Sequence, residues 1–237
     1  MVLASDDLAA MALALDASED YRVLRRLTFR KEFTPAQDPP FKIGILLDVE
    51  TTGLSTASDE VIELGLVKFS YLLDGRVGAV IDTYSSFNEP TKPIPEEVTN
   101  LNGITNEMVA GHRIDPATVD AFVSDAVVSI AHNASFDRRF AERYWPAFAH
   151  KSWACSVNEV EWRKHGFEGS RLGYLSQASA CSTKRTERST IVMLSLKSSR
   201  ENPLEPVRPR SPCCWRKLAK KPRGFGPLNL RLILKTS

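Results

Sequence analysis

The sequence predicts an α/β fold, a mixed sheet with helices on its faces. Two observations lead there. Three extended apolar runs between residues 42 and 88 are joined by short turns, which makes an antiparallel three-strand meander. Beyond residue 90, short apolar runs alternate with segments of helical periodicity, so strands and helices take turns. No internal repeat interrupts this order.

The elements follow in turn. Residues 5–29 mix acidic and apolar positions at helical spacing and end in "EDYRVLRRL", which predicts one or two amphipathic helices. "TPAQDPP" is a linker, because Pro39 and Pro40 cannot continue a helix. "KIGILLDVE" reads as a buried strand with "TTGLSTASDE" as the turn after it. "VIELGLVKFSYL" and "VGAVIDTYSSFN" are the second and third strands, joined by the tight turn "DGR". A long connection holds a short helix at "PEEVTNLN". "DPATVDAFVSDA" is a helix with Asp115 as its N-cap, since an Asp oxygen can accept from the first free backbone N–H groups. "VVSIAHN" is a short buried strand. "ASFDRRFAERYW" is a helix with Phe136, Phe140 and Tyr144 on one side, stopped by Pro146. "KSWACSV" reads as a last strand and "NEVEWRKHG" as a helix ending at Gly166, giving the order βββαβαβα.

The overall charge of +2 hides an asymmetry. From Gln177 onward the chain has 14 Lys and Arg against 3 Glu, whereas the preceding residues are net acidic. Thirteen Asp fall within residues 1–137 and none within the last 100. The chain therefore divides into an N-terminal extension and linker at 1–40, a domain at 41–175, and a basic, disordered tail at 176–237. Cys155, Cys181, Cys213 and Cys214 show no CxxC spacing, which argues against a zinc site or a disulfide framework and for a reducing compartment. The N-terminus lacks a basic stretch before its apolar residues, so it does not read as a signal peptide. No apolar run approaches the roughly 18 residues of a membrane helix. A cytoplasmic protein with no membrane partner is the expectation.

The chemistry starts at "ILLDVETTGL". Asp48 and Glu50 stand two residues apart in a strand, so both carboxylates point to one face. Like charges that close are unfavourable unless a cation lies between them. A third carboxylate, Asp137, lies in "IAHNASFDRRF", one turn into a helix that follows a buried strand. Strand ends are where sites assemble in open α/β sheets. Carboxylates are hard oxygen ligands, suited to Mg²⁺ or Mn²⁺.

Taken together, "DVETTGL", "NGIT" and "AHNASFDRRF" resemble the DEDD superfamily of 3′–5′ exonucleases, in particular the proofreading epsilon subunit of bacterial DNA polymerase III and its relatives. The likeness covers residues 41–175. It implies an RNase H-like fold and hydrolysis of phosphodiester bonds at DNA 3′ ends with two divalent ions. Asp48, Glu50 and Asp137 would be the catalytic metal ligands. Thr51, Thr52, Gly53 and Leu54 would line the 3′-terminal nucleotide, Ile104 and Thr105 would flank its base, and His132, Asn133 and Phe136 would shape the site around Asp137. The implied partners are a single-stranded DNA 3′ end and a DNA polymerase subunit, in replication. An RNA-trimming exonuclease of the RNase T kind shares these motifs, so DNA and RNA both stay open.

The family's third motif is His-x4-Asp, or Tyr-x3-Asp in a sister branch, supplying a general base and a fourth carboxylate. Neither is in this chain: no Asp follows Asp137, and no His follows His165. The last family helix is expected to be lost. The loss coincides with the change in composition, and a change of reading frame just after "GSRLGYL" would account for both. The resemblance thus implies an impaired exonuclease, with a non-catalytic nucleic-acid-binding remnant as the alternative.

Overall fold

The computed structural model describes residues 5–26, 32–33, 41–73, 75–178 and 181–182. The expected tail therefore lies almost wholly outside the described residues, and so does the stretch on which the loss of the family's last helix was expected.

A five-stranded mixed sheet organises the chain. Strand β2 (Phe41–Thr51) lies at its centre, antiparallel to β3 (Val61–Leu72), which is antiparallel to β4 (Val77–Phe87). On the other side β2 pairs in parallel with β5 (Val128–Ala131), and β5 with β6 (Ser152–Cys155). The order is β4-β3-β2-β5-β6, so the expected meander and both later strands are present. Helix α2 (Glu96–Asn102) and the short α3 (Asn106–Val109) follow the meander. Helix α4 (Pro116–Val123) precedes β5, and α5 (Ala134–Tyr144) follows it. The α4 cap is as expected: the Asp115 carboxylate accepts the backbone N–H groups of Ala117 and Thr118.

Alternation along the strands assigns the two faces. Ile45, Leu47 and Val49 of β2 and Leu64 and Leu66 of β3 pack against Val119 and Val123 of α4 and Phe140 and Ala141 of α5. Leu46, Val67, Phe69 and Tyr71 form the cluster on the opposite face. Gly44 admits that second layer, because a Cβ there would lie 2.6 Å from the Phe69 ring. Toward the end of β2 the same face turns acidic, at Asp48 and Glu50.

Three expectations need correction. The N-terminal helix, α1 (Ser5–Asp16), is one helix and stops well short of residue 29. The Asp16 carboxylate accepts from the Val23 N–H and the Ser18 hydroxyl from the Asp20 N–H, which draws the backbone out of the helical pattern. Arg25–Arg26 is instead a short strand, β1, parallel to β7 (Cys181–Ser182). Within "NEVEWRKHG" only Trp162–His165 is helical, as a 3₁₀ turn. The Glu159 carboxylate accepts the Cys155 N–H and the Trp162 indole N–H donates to the Ser156 carbonyl, so the segment is tied back to the end of β6. Finally, α6 (Leu172–Ala178) crosses the expected boundary at 175, anchored by Leu175, which packs with Val160, Trp162 and Phe167.

Candidate active site

The site begins with a register. Glu50 of β2 lies opposite Glu63 of β3, and Asp48 lies opposite Gly65. Directly paired residues in an antiparallel ladder share a face, so Asp48, Glu50 and Glu63 all project from one side of the sheet. Helix α5 adds the next carboxylate. Its N-cap, Asn133, has φ 71°, a left-handed conformation that Asn tolerates better than most residues. The helix turns there directly out of β5, and Asp137 comes to lie in its first turn.

Asp137 is 3% exposed, and its Oδ1 accepts the backbone N–H of Val49 at 3.2 Å. Val49 is the residue between Asp48 and Glu50, so this bond draws the third carboxylate to the first two. Burial raises the Asp137 pKa well above the usual carboxylate range, and repulsion from Asp48 and, more weakly, Glu50 adds to it, against hydrogen bonds from backbone N–H groups. Glu63 is pushed up to about 7, first by burial and then by Glu50 and Asp48, with a Ser85 hydrogen bond opposing. Each shift records burial first and the neighbouring carboxylates second. Among the described residues no group of three or more Asp, Glu, His or Cys side chains is placed to hold a metal ion. The carboxylates share one strand end without being folded round a common point.

Glu50 is tied to the connection after α2. The Asn102 amide donates to Glu50 Oε2 at 3.3 Å, and its carbonyl oxygen accepts the Ile104 N–H at 3.0 Å. Gly103, at φ 75°, closes α2 in the left-handed region that favours glycine and turns the chain toward Ile104. This links the "NGIT" segment to the "DVE" segment. Ile104 is buried with Ile62, Ile94 and Val109, and the Thr105 hydroxyl caps α3.

In the turn after β2, the Thr51 hydroxyl donates to the Gly53 carbonyl, and Thr52 bonds with Glu60 through both its N–H and its hydroxyl. Gly53 lies against the Asp59 carboxylate, 2.5 Å from where a Cβ would sit. The loop so held leaves Leu54 85% exposed. His132 Nδ1 is 2.8 Å from the Ser156 hydroxyl; burial lowers its pKa, with a backbone interaction at Ser170 opposing. Phe136 packs on Phe140, with ring centroids 5.1 Å apart.

Sequence reasoning missed Glu63 and Asn102. The signal for Glu63 was an acid inside the otherwise apolar run "VIELG". The signal for Asn102 was its place just before a helix-ending glycine.

Comparison with known proteins agrees with the motifs. The exonuclease (RNase T) family profile matches residues 45–165. DNA polymerase III PolC-type of Halalkalibacterium halodurans is 35% identical over 117 residues, which is 48% of this chain and 8% of that protein. The PolC-type enzyme of Pediococcus pentosaceus is 40% identical over 106 residues, 43% of this chain and 7% of that protein. The chain thus aligns with less than a tenth of either polymerase. Among solved structures, exonuclease I in complex with the inhibitor BCBP superposes with a TM-score of 0.53 at 13% identity, covering 75% of this chain and 43% of that one. E. coli exonuclease I in complex with a dT13 oligonucleotide gives 0.53 at 13% identity, covering 68% and 41%. These last likenesses concern the fold, the RNase H-like mixed sheet that the motifs implied. With its acidic strand end, its "HNASFD" helix start and a profile match across half of its length, the chain belongs to the exonuclease family of the DEDD superfamily.

Proposed function

We propose that this chain is a metal-dependent 3′–5′ exonuclease by design and an attenuated one by sequence. The observation that carries the reading is the Asp137–Val49 bond, which sets a buried carboxylate beside Asp48 and Glu50. The donors are of the kind a hard divalent cation such as Mg²⁺ or Mn²⁺ takes, since all are carboxylate oxygens, but as they stand no three of them are grouped to hold an ion; burial first and mutual repulsion second raise the pKa of Asp137 and Glu63, and Glu63 Oε2 is buried with no hydrogen-bond partner. Asp48, Glu50 and Asp137 would hold the ions, which when bound supply charge neutralisation at the phosphate and an activated water.

The chain's own groups have separable tasks. Asn102 orients Glu50, and the Val49 N–H orients Asp137. The loop of Thr51, Thr52 and Gly53 presents Leu54, an apolar surface for the terminal nucleotide. His132 is kept neutral by burial and oriented by Ser156, so it serves as a hydrogen-bonding group and not as a charge. The missing step is proton removal from the attacking water, because the sequence after Asp137 contains no His-x4-Asp. A positioned general base contributes about 10²–10⁴ in rate. The absence of that motif favours a second reading, a binder of nucleic-acid ends that does not hydrolyse them.

The substrate proposed is single-stranded DNA, and the partner a DNA polymerase, since the aligned relatives are PolC-type DNA polymerase III proteins. No helix among the described residues is long and apolar enough to cross a membrane, and a cytoplasmic setting is proposed. The test uses 5′-labelled single strands of DNA and RNA with Mn²⁺. Slow, stepwise shortening from the 3′ end, faster on DNA and lost in Asp48→Ala, supports the enzyme. Binding without shortening supports the end-binder. Shortening that persists in Asp48→Ala would refute the site.

A further inference from the structure

We propose that Arg143 is a positioning residue for the 3′ end of a single strand: it fixes the loop after β2 so that Leu54 is held in place for the terminal nucleotide. The proposal rests on the reading above that this site takes a 3′ end, and it adds the residue that holds the loop.

Arg143 lies in the last turn of α5, the helix whose first turn carries Asp137. Its Nη1 donates to the carbonyl oxygen of Thr56 and, at 3.2 Å, to that of Asp59. The guanidinium lies over the ring of Tyr144, 5.6 Å from its centroid, and the Tyr144 hydroxyl accepts the Val61 N–H at 3.3 Å. Helix α5 therefore meets the β2–β3 connection on both sides. Asp137 takes the Val49 N–H before it, while Arg143 and Tyr144 take Thr56, Asp59 and Val61 further on. A helix is a stiff spacer with a rise of about 1.5 Å per residue, so contacts at its two ends set the loop at a fixed offset from Asp137.

Within the loop the bonds are local. The Ser55 carbonyl accepts the N–H groups of Ser58 and Asp59, and Asp59 Oδ2 accepts the Ser55 N–H at 2.7 Å. Ser55–Asp59 is thus one closed turn, and Arg143 fastens that turn to α5. Leu54 adjoins it, 85% exposed. A lone exposed leucine means little by itself. This one stands on a loop tied at its base by Thr52 and Glu60 and further out by the helix that carries Asp137. A loop held beforehand has less freedom to lose when a ligand binds, which raises affinity. Arg143 is itself exposed, so removing it should loosen the loop and leave the core intact.

The experiment uses the full chain in a chelator, so that no strand is cut. Fluorescence anisotropy compares a 5′-labelled oligothymidylate whose 3′ end is free with the same strand capped at that end by biotin and streptavidin. The variants are Leu54→Ala, Arg143→Met, which keeps an apolar stem over Tyr144 and removes the donors, and the two combined. The preference for the free end should fall at least about fivefold in Leu54→Ala and about threefold in Arg143→Met. The double variant should lie within about twofold of Leu54→Ala, because residues that act through one another do not add. A cation that merely attracted phosphates would weaken free and capped strands alike, and that outcome would overturn the proposal. So would losses that multiply in the double variant, or a preference that survives Leu54→Ala. An undiminished preference in Arg143→Met alongside a loss in Leu54→Ala would overturn it and leave the reading of the site standing. A wild-type chain with no preference for the free end overturns both. Should Arg143→Met fail to fold, judged by circular dichroism, Arg143→Gln decides by the same criteria.

Discussion

The Asp137 carboxylate accepts the N–H of Val49, a residue 88 positions earlier in the chain. Through this one bond the first turn of α5 is fastened to the end of the central strand, between the two acids that strand presents. Val49 itself points the other way, into the core beneath α4 and α5. One residue thus serves the core with its side chain and the site with its backbone.

Changing Asp137 to Asn keeps an acceptor for Val49 and removes a crowded charge. Without metal, the melting temperature should hold or rise, while Mn²⁺ affinity falls at least about tenfold. Asp137→Ala should instead leave the Val49 N–H unpaired and cost about 1–3 kcal/mol relative to the Asn variant. Chemical denaturation of the two variants in a chelator measures the difference. Equal stabilities would mean that the bond contributes nothing.

The pH dependence follows from the raised carboxyl groups. Glu63 is raised from 4.5 to about 7, and Asp137 is raised too. Between those limits the folded chain keeps protons that the unfolded chain releases, so stability falls as pH rises through the window. In a chelator, the melting temperature should be higher at about pH 5 than at about pH 8, and Glu63→Gln should flatten the slope. Saturating Mn²⁺ should restore stability at the upper end by binding the folded state. A metal-free melting temperature that climbs with pH across this window would contradict the assignment.

Asn102 holds Glu50 with one end of its amide and the Ile104 N–H with the other. Asn102→Ala should cost about 1–2 kcal/mol, because the Ile104 N–H is buried and loses its acceptor. Cleavage or Mn²⁺ affinity should fall about tenfold at a temperature where the variant is still folded. Loss of stability with unchanged metal affinity would reduce Asn102 to a purely structural role.

A helix carrying His-x4-Asp, grafted after Ala178 so that α6 is kept whole, should raise metal-dependent cleavage by about 10²–10⁴. Asp48→Ala in the grafted chain should abolish it. The reading-frame idea has its own check, which is to translate the other two frames around codon 176. Neither frame encoding His-x4-Asp would exclude it.

The meander was legible because each strand has a run of apolar residues long enough to leave little choice of element. The α4 start was legible because Asp115 before Pro116 has few other uses. Asp48, Glu50 and Asp137 were proposed from the motifs. Glu63 was not, because its meaning lies in a register with Glu50, and pairing across a turn is not written in either strand alone. Asn102 escaped for a similar reason, since its partner is 52 residues away. The overlong α1 and the expected helix at Trp162 failed differently. Asp16, Ser18 and Glu159 spend their side chains on nearby backbone N–H groups, a competition that periodicity does not register.

The central place of β2 has a consequence for how the site comes apart. Hydrogen bonds flank this strand on both sides, whereas β4 and β6 are at the ends of the five-strand order. Amide exchange from local opening should therefore begin at those edges and reach β2 last. On that expectation Asp48 and Glu50 ride on the segment of the sheet that exchanges last. Asp137 rides on the first turn of a helix whose N-cap, Asn133, takes the Ser135 hydroxyl with its side chain and caps no backbone N–H of that turn. Fraying of that single turn would first have to break the Asp137–Val49 bond, and it would then remove one carboxylate from the strand end while the other two keep their places and the sheet stays folded.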